Sequence, residues 1–499
     1  LEVDNAGADG LGRKIAKGAA WMILMRFGVR SLGLVSTMIL ARILVPEDFG
    51  LVAMALVIVG MLESLSELSF DLALIQRLET DQKEFDTAWT LTVFKGLVSG
   101  LLLLVLAVPA AEFFGDPRLV EILWIFALMC MAEGFTNIGV VAFRKELDFK
   151  RDFQFMFAQK IAQFVATVGL AFVLRDYWAL VCGLVVGRLT ATGLSYLMHP
   201  YRPSFCLASW RRIVKFSKWL MLNNFQLFLS NRFDSIIIGK YLNATTLGIY
   251  NVAYEISNLP TSELVQPITR ALYPGYVRLK DDWEALKLQY LNSLGLVLIF
   301  TMPAGFGIAL VAEPLTMVIL GPKWTAAIPL IEVLAVFGVL RASLANSTAL
   351  YISIDKTYIV PMLTLVSLCT RLPLVAAGLW YGGALGAAYG LAISAFLNFL
   401  IALAVLWKTF GITPLTYLLV ISRTLLSAIA MMVFVKYLQL ILPRIEGLFD
   451  NLLILILTTL SGAGVYILVH LGLWAMTGKR AGAELLILSA IREKFFSKA

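Results

Sequence analysis

Residues 13–50 read RKIAKGAAWMILMRFGVRSLGLVSTMILARILVPEDFG, and residues 211–248 read RRIVKFSKWLMLNNFQLFLSNRFDSIIIGKYLNATTLG. Ile15, Lys17, Trp21, Leu24 and Phe27 of the first recur as Ile213, Lys215, Trp219, Leu222 and Phe225 of the second, every pair 198 residues apart. The same offset carries Arg42, Leu44 and Gly50 onto Lys240, Leu242 and Gly248, and Ala73-Leu74 onto Ala271-Leu272. An ungapped register held this far argues that one multi-helix unit was duplicated in tandem. Paired repeats in an integral membrane protein point to a carrier whose halves move against each other around a central site.

Composition places both copies in a membrane. The 499 residues are 60% hydrophobic and only 15% charged, and the mean hydropathy is +0.83, whereas a soluble domain carries about 25% charge. Fourteen apolar segments are long enough to cross a ~30 Å hydrocarbon core as helices. Barrel strands do not fit, because the runs are continuous rather than alternating. The segmentation predicts an all-α integral membrane protein: a tail at 1–17, an N-lobe of six helices at 18–198, an amphipathic linker at 199–212, a C-lobe of six helices at 213–409, two further helices within 414–476, and an amphipathic tail at 477–499. The repeat places a central cavity between the two lobes.

Basic residues orient the spans. Assigning successive loops to alternate sides puts twenty-four lysines and arginines on one side and six on the other, so the rich side, with both termini, is predicted to be cytoplasmic. The net charge of +8 is then largely topological and gives no reason to expect nucleic acid. No cleavable signal peptide is expected, since the first apolar stretch is too long and too basic.

Eleven basic residues remain at membrane depth: Arg26, Arg30, Lys95, Lys160, Arg188, Arg232, Arg270, Arg341, Arg371, Arg423 and Lys436. Long basic side chains near helix ends reach the headgroups, which is open to Lys95, Lys160, Arg423 and Lys436. Arg26 and Arg30 lie four apart, on one face of the first span. A charge at mid-bilayer costs at least ~2.5 kcal/mol, so a pair on one face suggests a water-filled cavity. Glu63, Glu67 and Asp71 are also spaced four apart, down one face of the second span. They either form a salt-bridge ladder with Arg26 and Arg30 or provide a path for a proton or sodium ion. Asp234, two residues from Arg232, falls on a different face and suits holding helices together.

Pro260, Pro267 and Pro274 recur every seven residues in the eighth span. Each removes a helix hydrogen bond and clashes with the preceding turn, so the helix is a candidate hinge. Gly183 and Gly187, and Gly382, Gly386 and Gly390, repeat every four residues and suit close helix packing. Two stretches, FCLASWRRIVKFSKW at 205–219 and the tail at 483–496, mix apolar and basic residues as membrane-surface segments do.

Chemistry-bearing motifs are few. Cys130, Cys182, Cys206 and Cys369 are scattered, and His199 and His470 are far apart, so no zinc site, disulfide framework or catalytic triad is expected. No phosphate-binding loop is present. No catalytic residue and no metal is predicted, and the outer loops are too short for a catalytic ectodomain.

The basic start running into W-x-x-L-x-x-F, then Arg42, Leu44, Pro46, Phe49 and Gly50, then ALIQR at 73–77, resembles the polysaccharide flippases of the Wzx type. NRFDSIIIGKYLNATTLGIYNVAYEISNLP at 231–260 and RALYPGY at 270–276 look like that family's second repeat. The likeness covers most of residues 13–441. It implies the multidrug, oligosaccharidyl-lipid and polysaccharide exporter fold, with two six-helix lobes about a V-shaped cavity and two additional C-terminal helices. It also implies transfer of a polyprenyl diphosphate-linked oligosaccharide to the outer leaflet of the bacterial inner membrane, for O-antigen, capsule or exopolysaccharide assembly, beside a polysaccharide polymerase and a chain-length regulator and among membrane lipids.

Such a cargo is anionic where it crosses, and arginines replace its lost water with charge-assisted hydrogen bonds. Arg26, Arg30, Arg232 and Arg270 are therefore the expected cavity cations, with Glu63, Glu67, Asp71, Asp234 and Glu255 as candidates for coupling or gating by H+ or Na+. No cofactor is expected. The alternatives are a lipid II flippase or a drug or metabolite exporter on the same scaffold, and, in a different class, a membrane glycan polymerase or ligase.

Overall fold

The computed structural model describes residues 3–66, 82–146, 148–208, 210–442, 447–478 and 484–485. Among these, sixteen α-helices and two 3-10 turns are present and no strand, as expected where every backbone group must be satisfied without water. The chain divides into two compact units, Leu1–Gly248 and Ile249–Ala499.

The first unit holds α1 (Val3–Ile43), α2 (Pro46–Ser66), α3 (Gln82–Phe114), α4 (Leu119–Gly134), the short α5 (Val141–Lys145), α6 (Phe149–Leu174), α7 (Trp178–Met198) and α8 (Trp210–Tyr241). It also holds the first turn of α9 (Ala244–Arg278). Sequence punctuates these elements where chemistry requires it. Pro46 opens α2, its fixed φ suiting a first helical position, and the Asp48 carboxylate accepts from the Val45 amide at 3.0 Å. Gly115, at φ +74°, turns the chain out of α3.

Small residues let the helices of this unit approach. A β-carbon on Gly96 of α3 would lie 2.7 Å from Gly134 Cα of α4, and one on Gly183 of α7 would lie 1.8 Å from the Thr167 hydroxyl of α6. Gly187 stands against Gln163 in the same way, so both glycines are packing contacts, as the four-residue spacing suggests. Elsewhere aromatic rings fill the seam: Trp21 of α1 lies 5.1 Å from Phe153 of α6, which stacks on Phe157.

The second unit continues α9 and adds α10 (Trp283–Leu310), α11 (Ala312–Ile319), α12 (Ile328–Ala342), α13 (Ala345–Ser353), α14 (Ile359–Phe410), α15 (Pro414–Ile441) and α16 (Leu448–Met476). Its core gathers Leu294, Leu298, Met302, Val339, Tyr417 and Met431. Buried hydroxyls there find carbonyls: Tyr417 donates to Ser343 O at 3.2 Å and Tyr466 to Ile299 O at 2.8 Å. α14, 52 residues long, breaks at Gly382 and Gly383, the latter at φ +57°. A β-carbon on Gly378 would meet the Gly386 carbonyl oxygen at 2.1 Å, so the chain doubles back at the break. Gly386 and Gly390 pack as their spacing suggests, whereas Gly382, with nothing within 4 Å, belongs to the turn.

Outward faces are apolar and open: Val105, Val173, Leu197, Val433 and Leu468 are all more than 60% exposed, a surface that suits lipid and not water. The chain is a multi-pass membrane protein. Among the described residues ten helices are long and apolar enough to cross a bilayer, or eleven when α4 and α5, bent by 67°, count as one span. That is fewer than fourteen for physical reasons. α8 and α9 have the length, at 32 and 35 residues, but charged residues dilute their apolar windows, and α14 is one helix by hydrogen bonding but two by direction.

Candidate functional site: a polar cavity between α2, α4, α7 and α8

A cavity of about 460 Å³ opens in the first unit, walled by Leu56, Val59, Gly60, Glu63 and Ser64 of α2, Met129 of α4, Leu184 and Arg188 of α7, and Asn224, Leu227, Phe228, Asn231 and Arg232 of α8. Gly60 lets the Phe228 ring approach, leaving 2.8 Å from its virtual β-carbon.

Arg188 is the centre of its charge. Gly187 faces α6, and the next residue, about 100° round the helix, reaches the other way. One guanidinium nitrogen donates to the Glu133 carboxylate, and another stands 3.8 Å from Glu63. The three side chains keep 41%, 33% and 37% of their surface exposed, in the order Arg188, Glu133, Glu63. They therefore face open space rather than a sealed core. One cation between two carboxylates leaves the cluster with an excess of negative charge, and Arg232 on the cavity wall adds a second cation.

Glu133 is placed by the break after α4. Beyond Gly134 the helix stops, and the freed backbone is taken up by α7: the Asn137 amide donates to Ser195 Oγ at 2.9 Å and Tyr196 donates to Phe135 O at 2.7 Å. Asn137 in turn accepts from the Gly139 amide at 2.9 Å, starting the next turn. A broken span whose polar atoms are met by a neighbouring helix is tolerated at membrane depth where it lines a cavity. The arrangement can hold water, take an anionic group on arginine, and take a proton or small cation on the glutamates.

The expected site residues are distributed as follows. Arg232 and Glu63 are brought together on the cavity wall, and Glu63 pairs with Arg188. Arg26 and Arg30 sit half-exposed on α1, which packs on α6; neither lines this cavity. Asp234 is buried on α8 and accepts from the Ser235 amide at 3.0 Å. Glu255 is exposed on α9, as is Pro274. The side chains of Arg270, Pro260 and Pro267 lie outside the described residues, although α9 is helical through all three positions. Glu67 and Asp71 also lie outside the described residues.

Two residues of the charged cluster had no role from sequence: Arg188, on the cavity wall and counted among the cations at depth, and its partner Glu133. The available signal was that Arg188 is the one charged residue of α7 and that Glu133 shares α4 only with Glu121, near its other end, and opposite charges at depth tend to pair. In the second unit Arg341 and Arg371 each lie 5.7 Å from the Phe337 ring, and Arg341 donates to the Tyr254 hydroxyl at 3.1 Å, so these cations are met by aromatic faces. Arg423, a candidate to reach the headgroups, instead lies 3.0 Å from the buried Glu484. A larger cavity of about 910 Å³ in this unit, between α10, α11, α15 and α16, is walled mostly by apolar side chains.

The segment after α7 is fastened to the first unit. Asp86 of α3 accepts from the Tyr201 hydroxyl and from the amide and hydroxyl of Ser204, the last two at 2.9 Å. The Cys206 amide donates to Thr90 Oγ1 at 2.9 Å, and Phe205 lies 4.9 Å from Trp89. Burial, with the hydrogen bond to Asp86, raises the Tyr201 phenol well above its ordinary range.

Comparison with known proteins fits this architecture. A family model described as "Polysaccharide biosynthesis protein" matches residues 39–329. Over 340 residues the chain is 28% identical to the lipopolysaccharide biosynthesis protein WzxC of Escherichia coli K12, covering 66% of this chain and 68% of that one. It is 25% identical over 325 residues to the succinoglycan biosynthesis transport protein ExoT of Rhizobium meliloti, covering 65% and 66%. Among solved structures, the lipid II flippase MurJ in an inward closed conformation superposes with a TM-score of 0.72 at 14% identity, over 91% of this chain and 98% of that one. A MATE family multidrug transporter of the MOP superfamily gives 0.57 at 16% identity, over 76% and 95%. At these identities the two structures show a shared fold and nothing of cargo.

Proposed function

Since this chain belongs to the polysaccharide biosynthesis protein family, we propose that it is a flippase for polyprenyl (undecaprenyl) diphosphate-linked oligosaccharide repeat units. It carries them across the bacterial inner membrane for O-antigen, capsule or exopolysaccharide synthesis, with both termini in the cytoplasm. The names of its relatives, one a lipopolysaccharide biosynthesis protein and one a succinoglycan biosynthesis transport protein, support this reading. Counting α14 as two spans and adding α8, α9 and the bent α4–α5 pair to the apolar helices gives the fourteen spans that two six-helix lobes and two further helices require.

The observation that carries the proposal is the polar cavity itself. A diphosphate loses its water on crossing, and guanidinium groups replace that water with bidentate hydrogen bonds. Arg232 stands on the wall of the cavity, and Arg26, Arg30 and Arg270 are the further cations assigned to the head group. Glu63 and Glu133, sharing Arg188, are the groups assigned to an exchanging proton or sodium ion, with Glu67, Asp71, Asp234 and Glu255 as the remaining candidates. Alternating access of the repeats then moves the head group while the lipid tail stays in the bilayer.

The test is the leaflet in which the lipid-linked glycan resides when cells are depleted of the protein. Accumulation on the cytoplasmic leaflet with loss of surface polysaccharide is expected, and charge-neutral Arg26→Gln and Arg30→Gln variants should not restore export. Normal delivery to the outer leaflet would overturn the proposal and redirect it to lipid II or small-molecule export on the same fold.

A further inference from the structure

The 198-residue register and the structure meet at one place, the start of α2 and the start of α9. Pro46 and Gly50 of the first repeat correspond to Ala244 and Gly248 of the second. A β-carbon on Gly50 would lie 1.7 Å from the Ala244 carbonyl oxygen, and one on Gly248 would lie 1.9 Å from the Pro46 carbonyl oxygen. The contact is reciprocal: each glycine touches the residue that corresponds to its own neighbour four positions back. That is the pattern of a two-fold contact, in which i meets j and j meets i. Only glycine permits it, since any side chain would overlap a carbonyl. Both partners lie within the first unit.

The crossing lies beyond the cavity along α2, six residues before Leu56, the first of its wall residues on that helix. Glu63 is thirteen residues beyond Gly50 along α2, about 20 Å at 1.5 Å per residue. A second link joins the repeats at the same end: the Lys240 ammonium, one residue before the end of α8, donates to Phe113 O of α3 at 2.6 Å and stands 4.6 Å from the Phe113 ring. The covalent passage between the repeats, residues 199–209, lies at the opposite end of these helices. This end is therefore closed by non-covalent contact and can part without breaking the chain.

We infer that the reciprocal Gly50–Gly248 crossing, with Lys240 on Phe113, is the gate at the outer end of the cavity, shut in this structure and parted when cargo leaves. The inference rests on the transport reading for its direction, because a hydrated glycan cannot pass where two backbones touch. Glycine lets two helix ends meet face to face without side chains to unlock, and a half-exposed lysine adds a contact that water can replace.

The experiment uses spin labels at Val45 and Asn243, corresponding positions that are both exposed, in the full-length protein, with the distance distribution measured by pulsed electron resonance. In the otherwise unaltered protein two populations are expected, the shorter one dominant. Gly50→Ala and Gly248→Ala should each shift weight to the longer distance by bulk, and Lys240→Gln should do so by losing its bond. A single narrow distance in the unaltered protein overturns the gate and makes the crossing a fixed fulcrum, even if both glycine variants fail to fold. A shift in only one glycine variant overturns the reciprocity. The distances do not depend on cargo, so a moving gate with normal glycan delivery in depleted cells would reject the cargo and keep the gate.

Discussion

The Arg188 guanidinium on α7 holds the Glu133 carboxylate in the last turn of α4, where that helix breaks. With Glu63 at 3.8 Å, this pair ties three helices at the polar end of the cavity. Removing one member of a fully buried pair costs ~3–5 kcal/mol, but these side chains are about a third exposed or more, and water screens them. Arg188→Gln should therefore lower stability by only ~1–2 kcal/mol, read as a lower melting temperature in detergent. Glu133→Gln added to it should recover part of the loss, because the second change removes the charge left alone. An unchanged melting temperature in the single variant would show that the cluster holds nothing.

Asp86 anchors the segment after α7 through three hydrogen bonds. Asp86→Ala should destabilise that attachment by ~3–4.5 kcal/mol, given ~1–1.5 kcal/mol for each bond lost. The amides of Ser204 and Cys206 should then exchange hydrogen much faster while amides of α7 keep their protection. Asp86→Asn preserves shape and one acceptor and should fall between. Equal protection in all three proteins would sink the clamp.

Near the α3–α4 turn, burial pushes the Asp116 carboxyl up, but hydrogen bonds from the Arg118 side chain and amide outweigh this and hold it below its ordinary value of 3.8. Its folded value is the lower one, so its stabilising contribution is complete above the ordinary value and disappears as pH falls through the folded one. Wild type should melt above Asp116→Asn at pH 6, and the gap should close as pH drops through 4 toward 3. A gap that widens on acidification would contradict the sign.

Two glycines of α7 give opposite expectations. Gly183→Ala drives a methyl onto Thr167 and should cost ~1–3 kcal/mol by overpacking, measured by denaturation in detergent. Gly193 has nothing within 4 Å, and Gly193→Ala should be neutral or stabilise by up to ~1 kcal/mol through helix propensity. If both variants lose stability equally, close α6–α7 packing is not what Gly183 serves.

Sequence went far here because a membrane makes strong demands on it. A solvent that offers no hydrogen bonds forces long apolar helices, and the insertion bias writes topology into lysine and arginine counts. Glycines spaced by four were legible at Gly183 and Gly187 as contacts, because only the absence of a side chain lets backbones approach. The same spacing misled at Gly382, since a turn and a packing seam both select glycine. Arg188 and Glu133 were visible only as charges within apolar spans: they lie 55 residues apart in the chain, and nothing in the local pattern states which helix faces which.

The amino-acid sequence by itself determined that this is an all-helical membrane protein with an ungapped internal register, because apolar length and residue spacing are properties of the chain read in order, and its motifs carried the resemblance to the polysaccharide family. The tertiary structure alone decided that Glu63 and Glu133 share Arg188, that Asp86 fastens the segment after α7, and that Gly50 and Gly248 touch across the repeat. Those relations depend on rotation about helix axes and on which helices become neighbours, and both are set by packing between distant segments rather than by local periodicity.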